Sequence, residues 1–313
     1  MKTTLMIAPA AVDLAAWVDK LPRGNEDEIQ PKRTLMRYGG AGWCAMNVWQ
    51  AMGFPYEICA PVGSGIYGDA VKEEAESFGL QIHSFSSEIA GCSYTMIDPQ
   101  GQRGLMIVPG CEYTFDQSRA QRILAEQVNA VLVFGGMLDG ENGRKSIQFL
   151  KQYEGKIFLE LGGRGATLDE ASFNDICALH PVIHATDEEL SVLCKGETDL
   201  MTCAQMVYKK TNAPVIVLLQ DGGSLYAEGR KIMSVSSFMQ ETRDASGVEE
   251  NHAAAYLAAR VAGVDPRNAL NFAGKYAARI AETERQELSK TDIPDMKQLL
   301  LNFIMGKHAP EAA

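Results

Sequence analysis

The sequence predicts an α/β protein: a doubly wound, mostly parallel sheet with helices on both faces and a small β lid. Three observations predict it. From residue 131 onward, short apolar runs alternate with helical stretches of ten or more residues, which is the rhythm of βαβ units. The runs themselves, such as Val131–Phe134 and Val215–Leu219, read as strands of a covered parallel sheet. In the first third, by contrast, the strand candidates flank a hairpin signal. They do not fit the parallel sheet and are set aside as a lid drawn from about residues 14–38 and 92–108.

Element by element, Thr4–Ala10 reads as a first buried strand, followed by a polar segment with Pro22, Gly24 and Pro31. Lys32–Tyr38 is a second strand candidate running into Gly39-Gly40. A helix over Trp43–Met52 stops at Gly53, and strand Tyr56–Ala60 leads through a glycine-rich turn to a helix over Asp69–Phe78, ended by Gly79. Ser93–Asp98 and Gly104–Val108 flank Pro99-Gln100-Gly101, a hairpin signal. Strand Val131–Phe134 then precedes helix Gly143–Gln152, and strand Lys156–Glu160 precedes helix Leu168–Leu179. Val182–His184 leads to helix Asp187–Lys195. Helix Met201–Thr211 is followed by strand Val215–Leu219 and a hairpin reaching Val235. Glu249–Val261 and Pro266–Glu282 close the core as helices, the second with proline in its first turn, where a missing N–H costs nothing. With no repeat, low-complexity stretch or long linker, residues 1–313 read as a single domain. In open sheets of this kind ligands sit beyond the carboxyl ends of the strands, so the glycine turns there are the candidate site.

Composition narrows the function. Of 313 residues, 46% are hydrophobic, but in runs far below the ~20 residues of a membrane span. The opening MKTTLMIAPA has a short apolar run followed at once by Asp13 and Asp19, and reads as a buried strand rather than a signal peptide. Seven scattered cysteines without a CxxC pair read as reduced thiols, so a cytoplasmic location is expected. The net charge of −11, with no Lys/Arg cluster, argues against a nucleic-acid partner.

Gly63-Ser64-Gly65-Ile66-Tyr67-Gly68 spells GxGxxG between a strand and a helix, with Glu88 downstream. A dinucleotide site would use such glycines for close approach to a pyrophosphate. Here the motif follows several elements instead of opening the first βαβ unit, and a tight turn with no pyrophosphate is the better reading.

Several segments together resemble the PfkB/ribokinase family of carbohydrate kinases. Gly39-Gly40-Ala41-Gly42-Trp43-Cys44, continuing to Met52-Gly53, is similar to the family's first signature, whose Gly-Gly turn presses backbone against the sugar. Pro61-Val62-Gly63 through Gly68-Asp69 resembles its V-G-x-D-x-x-G turn, and Asp98 to Arg103 with Pro109-Gly110 its D-x-x-G-x-R…P-G stretch. Asp244-Ala245-Ser246-Gly247-Val248-Glu249-Glu250 stands where the family has D-T-x-G-A-G-D before a helix. The order agrees over roughly residues 3–285 and implies a ribokinase-like fold.

The resemblance implies transfer of the γ-phosphate of ATP to a hydroxyl of a small-molecule sugar, with Mg²⁺, and raises a monovalent cation near Asp244 as a further cofactor. It assigns Asp13, Gly39, Gly40, Cys44 and Arg103 to the sugar, and Arg164, Thr186, Glu189, Gly223 and Asp244 to nucleotide and phosphate. Glu189 would organise Mg²⁺ through water. Gly247 would belong to an anion hole at a helix N-terminus, and Glu250 would be the base. A homodimer through the lid is also implied. Asp13 could equally form a turn, and Glu249 and Glu250 could simply complement a helix dipole. His252 reads as a packed helix-face residue, and His180 and His184, separated by Pro181-Val182-Ile183 in a strand start, give no zinc pair.

The sequence departs from the family at functional positions. Cys44 replaces a sugar-binding Asn, Glu160-Leu161-Gly162-Gly163-Arg164 keeps only the Arg of D-x-N-x-R, and Thr186 to Glu189 keeps only the acid of N-x-x-E. Leu218-Leu219-Gln220 replaces T-x-G. Val248 and Glu249 replace Ala and Gly in the anion hole, and Glu249 sets a carboxylate beside the phosphate. A second reading is therefore a pseudokinase that binds a sugar or metabolite without efficient transfer. A nucleotide-dependent oxidoreductase is a distant third.

Overall fold

The structure, a computed structural model, describes residues 3–24, 28–79, 82, 85–124, 128–197, 199–240 and 242–306. The first strand, β1 (Thr3–Ile7), sends Met6 into one hydrophobic core and Leu5 and Ile7 into another, as the two-residue side-chain period requires. It ends two residues before Pro9. The segment that the sequence presents as polar then forms a strand of its own, β2 (Ala11–Trp17), antiparallel to β3 (Arg33–Gly39). Asp13 thus lies inside β2 and forms no turn. Its polarity hid the strand, because the residues that satisfy it are far away in sequence. Residues 25–27, inside the stretch 14–38 assigned to the lid, lie outside the described residues, as do the ends of the 1–313 domain.

Helix α1 (Ala41–Met52) stops at Gly53, whose φ of 76° suits glycine. Next come β4 (Tyr56–Cys59), β5 (Val62–Ser64), α2 (Gly65–Phe78) and β6 (Phe85–Ile89), which runs beside β5. A Cβ on Gly63 would lie 2.4 Å from the backbone nitrogen of Ala90, and one on Gly68 2.0 Å from the carbonyl of Gly63. Gly63 and Gly68 therefore let backbone pack on backbone, while Gly65 supplies a left-handed turn (φ 86°). The expected hairpin forms from β7 (Cys92–Ile97) and β8 (Arg103–Val108), with Asp98 Oδ1 accepting the N–H groups of Gln100 and Gln102 at 2.9 Å each. With β2 and β3 it completes a four-stranded sheet in the order β3-β2-β7-β8.

The second half supplies α3 (Gln117–Leu124), β9 (Val128–Phe134), α4 (Gly140–Leu150), β10 (Lys156–Glu160), α5 (Gly162–Ala166) and α6 (Glu170–Cys177). After them come β11 (Val182–Thr186), α7 (Asp187–Leu193), α8 (Leu200–Thr211), β12 (Val215–Leu218), β13 (Ser224–Glu228) and β14 (Lys231–Val235). Last are α9 (Val248–Val261), α10 (Pro266–Ala281) and α11 (Asp292–Ile304). Helix α3 buries Ala120 and Ile123, too few apolar positions to reveal a period in the sequence. The main sheet runs β14-β13-β12-β11-β10-β9-β1-β4, parallel except for the two pairings of β13. Helices α1, α9 and α10 pack on one face around Trp43, Trp49 and Tyr276. On the other, Phe149 of α4, Ile176 of α6 and Val207 of α8 meet Leu5 and Val131. Among the described residues no helix is long and apolar enough to cross a membrane.

Candidate active site

A cleft of about 830 Å³ opens between the carboxyl ends of β10, β11 and β12, the start of α9 and the four-stranded sheet. That volume is within the range of small-molecule sites. Two groups of buried charges flank it.

The first ties the four-stranded sheet to the loop before α9. Sheet register places Arg37 and Ser93 on either side of Asp13. Asp13 Oδ1 accepts from the hydroxyls of Ser93 and Thr95, both at 2.7 Å, and Oδ2 accepts from Arg37 Nε at 2.7 Å. Arg37 Nη1 also donates to Asp244 and, at 2.9 Å, to the carbonyl of Glu284. Asp244 Oδ1 accepts the Ser246 N–H at 2.8 Å. Asp13, Arg37 and Asp244 are 2%, 3% and 1% exposed. Burial opposes the guanidinium charge, and the two carboxylates outweigh it, so the Arg37 pKa is raised.

This arrangement revises three assignments. Asp13 lines the cleft, but with three short hydrogen bonds already made it is a structural anchor as much as a ligand. Asp244, 1% exposed, lies behind the cleft wall and outside its lining. A monovalent cation beside it does not fit, because the guanidinium of Arg37 already meets its negative charge.

The second group lies at the start of α9. Glu160 ends β10, and in-register pairing with His184 of β11 puts the two side chains next to each other on the face covered by α9. Glu249, in the first turn of α9, brings a carboxylate oxygen within 4.8 Å of Glu160 and His184. Both carboxyls have raised pKa values, first through burial and then through neighbouring acids: Glu250 and Glu189 around Glu160, and Glu160 around Glu249. Two carboxylates ~4 Å apart repel by about 4 kcal/mol at an effective dielectric of ~20. His184 Nε2 lies 2.9 Å from His252 Nδ1, and His252 Nε2 lies 2.9 Å from the hydroxyl of Ser224. Burial first, then the neighbouring His252, lowers the His184 pKa well below its usual value, and burial pushes His252 down to about 3. His252 is therefore neutral and packed beneath the loop, not on the cleft wall.

Glu250 follows Glu249 on the same helix. It lines the cleft, and its Oε2 has no hydrogen-bond partner. Gly247 lines the cleft too, in a left-handed conformation (φ 77°), and a Cβ there would meet the side chain of Gln286 at 2.9 Å. The first N–H groups of α9 have no partner within the helix, and the positive end of the helix dipole faces the cleft beside this glycine. These features fit a phosphate. Thr186 and Glu189 form a reciprocal capping box at the start of α7, and both line the cleft. Oxygen donors of this kind suit Mg²⁺ reached through water.

The remaining assigned residues divide between the wall of the cleft and the layer behind it. Gly40 and Arg103 line it. Arg164 lines it as well, paired with Asp139 at 3.1 Å and lying over the ring of Tyr113. Gly39 packs behind, where a Cβ would be 3.2 Å from Gln286 Oε1. Cys44 is 1% exposed, and its thiol donates to Gln286 Oε1 at 3.7 Å, so it supports the wall without contacting a ligand. Gly223 donates to Asp221 Oδ1 at 2.7 Å and also lies behind the wall, which Gly222 reaches instead.

Three residues of the site carry no sequence motif. Gln286 lines the cleft from a left-handed backbone (φ 61°), wedged between Gly39 and Gly247. Arg37 looks like any charge in a strand until Asp13 stands opposite it. His184 signals nothing unless the register of β10 and β11 is known.

Comparison with known proteins agrees with this geometry. The model of the pfkB family of carbohydrate kinases matches residues 1–291. An uncharacterised sugar kinase of Escherichia coli, YegV, is 22% identical over 273 residues, covering 84% of this chain and 83% of that protein. A ribokinase from Thermotoga maritima superposes with a TM-score of 0.79 at 16% identity, covering 95% of this chain and 100% of that one. An Arabidopsis thaliana ribokinase complexed with ribose and ATP superposes with a TM-score of 0.74 at 18% identity, covering 95% and 99%.

Proposed function

The chain belongs to the pfkB family of carbohydrate kinases, and from that premise we propose that it transfers the γ-phosphate of ATP to a hydroxyl of a sugar or sugar-like alcohol. The observation that carries the reading is Glu250: a carboxylate in the first turn of α9 that lines the cleft, with one oxygen, Oε2, buried and without a partner. A sugar hydroxyl placed against this carboxylate would give up its proton to it. The start of α9 would take the charge of the transferring group, with Arg164 close enough to share it. Mg²⁺ would supply charge neutralisation between the phosphates, with Glu189 and Thr186 positioned to hold its water shell.

On the sugar side, Gly40, Asp13 and Arg103 supply a close backbone approach, an acceptor and a cation. We read the four-stranded sheet as the lid over this pocket and the whole chain as one catalytic domain. A strand edge and exposed Leu105, Met106, Ile107 and Val108 on β8 support a homodimer through the lid. Seven buried, unpaired thiols support a reducing, cytoplasmic setting.

The test is ADP release from ATP·Mg²⁺ across a panel of pentoses, hexoses and nucleosides, comparing the natural chain with Glu250→Gln. Sugar-dependent turnover that falls ~10²–10⁴-fold in the variant, with KM little changed, supports the role. Turnover unaffected by the substitution removes Glu250 from it.

A further inference from the structure

Glu160, His184 and Glu249 offer two carboxylate oxygens and one imidazole nitrogen, all within 4.8 Å of one another. Donors bound to one ion at about 2.0–2.2 Å lie ~3–4 Å apart, so small side-chain shifts would bring the three onto a single centre. Three further features point the same way.

His184 is 5% exposed, and its Nδ1 has no partner, while Nε2 is taken by His252. With the proton on Nε2 of each ring, His184 donates to His252 and His252 donates to the Ser224 hydroxyl. The lone pair of His184 Nδ1 is then left free, on a ring that offers a nitrogen within 4.8 Å of both carboxylates. This is how outer groups fix the orientation and tautomer of a ligating histidine. Glu249 Oε1 is likewise buried without a partner. Finally, among the described residues neither Glu160 nor Glu249 forms a salt bridge to an arginine or lysine.

We propose that Glu160, His184 and Glu249 form a binding site for one divalent transition-metal ion, distinct from the magnesium that accompanies nucleotide. The mixed nitrogen and oxygen donors suit Zn²⁺, Co²⁺ or Mn²⁺ better than Mg²⁺, which favours oxygen and gives up its water reluctantly. Glu160 and Glu249 both line the cleft, so the ion would have coordination positions open to it. A dication brings the formal charge of two ionised carboxylates to zero. The acid that sequence sets beside the phosphate position would then no longer repel it, and the start of α9 would be tied to the ends of β10 and β11.

The test uses the full chain, stripped with a chelator and kept free of nucleotide and sugar, so that its outcome is independent of kinase activity. Co²⁺ is titrated while visible absorption and melting temperature are followed, and Zn²⁺ is then added as competitor. The expected result is one equivalent of Co²⁺ per chain, a d–d absorption band, a raised melting temperature and displacement by Zn²⁺. Glu249→Gln, a near-isosteric change, weakens Co²⁺ binding by more than the ~10–100-fold that loss of an outer partner costs. His184→Asn does the same. Absence of saturable Co²⁺ binding by the natural chain overturns the site, whatever the variants do. So does saturable binding that is unchanged in a folded Glu249→Gln protein.

Discussion

Two clusters of buried charge face each other across the cleft, and they are solved in opposite ways. On the lid side, Asp13 and Asp244 share one guanidinium, and the remaining lone pairs of Asp13 are met by Ser93 and Thr95. On the α9 side, Glu160 and Glu249 confront each other with an imidazole for company, and their unmet groups point inward. The difference separates a structural device from a functional one. Buried charges met by an opposite charge fix two elements against each other, as here even with Arg37 Nη2 left without a hydrogen bond, whereas those without a counter-charge persist where a ligand, proton or ion completes them.

The largest effect should come from breaking the paired side. Arg37→Met leaves two buried carboxylates without their cation and should cost about 3–5 kcal/mol in denaturant unfolding, since stranding one partner of a buried pair is expensive. A loss below ~1 kcal/mol would mean that water reaches the network and that the lid is not anchored through it.

The opposite sign is expected across the cleft. In metal-free buffer, Glu249→Gln removes a carboxyl whose charge is opposed first by burial and then by the neighbouring Glu160. It should raise the melting temperature by a few degrees, on the order of 1 kcal/mol for a chain of this size. A fall would show that the carboxylate is already compensated. The same contrast bears on monovalent cations. Because Arg37 occupies the charge of Asp244, phosphotransfer should be equally fast in K⁺ and in a bulky tetraalkylammonium salt, and K⁺ activation would contradict that pairing.

The smallest effect concerns Glu287, next to Gln286, whose pKa burial raises to about 7. The folded chain holds a proton there that the unfolded chain releases above the ordinary carboxylate range. Stability from this group is therefore intact at acid pH and declines as pH rises from ~4.5 to about 7. Glu287→Gln should flatten that part of the stability curve, and an unchanged slope in denaturant midpoints from pH 5 to 7 would refute the assignment.

How much of this the sequence could reveal depended on whether a signal was local. The βαβ rhythm, the glycines at 39–40 and the helix after Gly247 lie within single segments and were legible. Strand β2 was not, because Asp13 is tolerated inside it by partners 24, 80 and 82 residues away. Cys44 stood at a signature position, yet its thiol turns to Gln286, 242 residues on, and the cleft receives the amide-bearing residue in its place. Glu249 looked like a defect in an anion hole. Only the register of β10 with β11 shows that Glu160 and His184 wait beneath it.

The measurement that tests the central claim most directly is phosphorus NMR of the natural chain with ATP·Mg²⁺ and each sugar that raises its melting temperature. The account predicts loss of the γ-phosphate signal in step with the appearance of a phosphate monoester, in the presence of sugar and not without it. A sugar that stabilises the protein while ATP stays intact would contradict it, and would make this member of the family a binding protein.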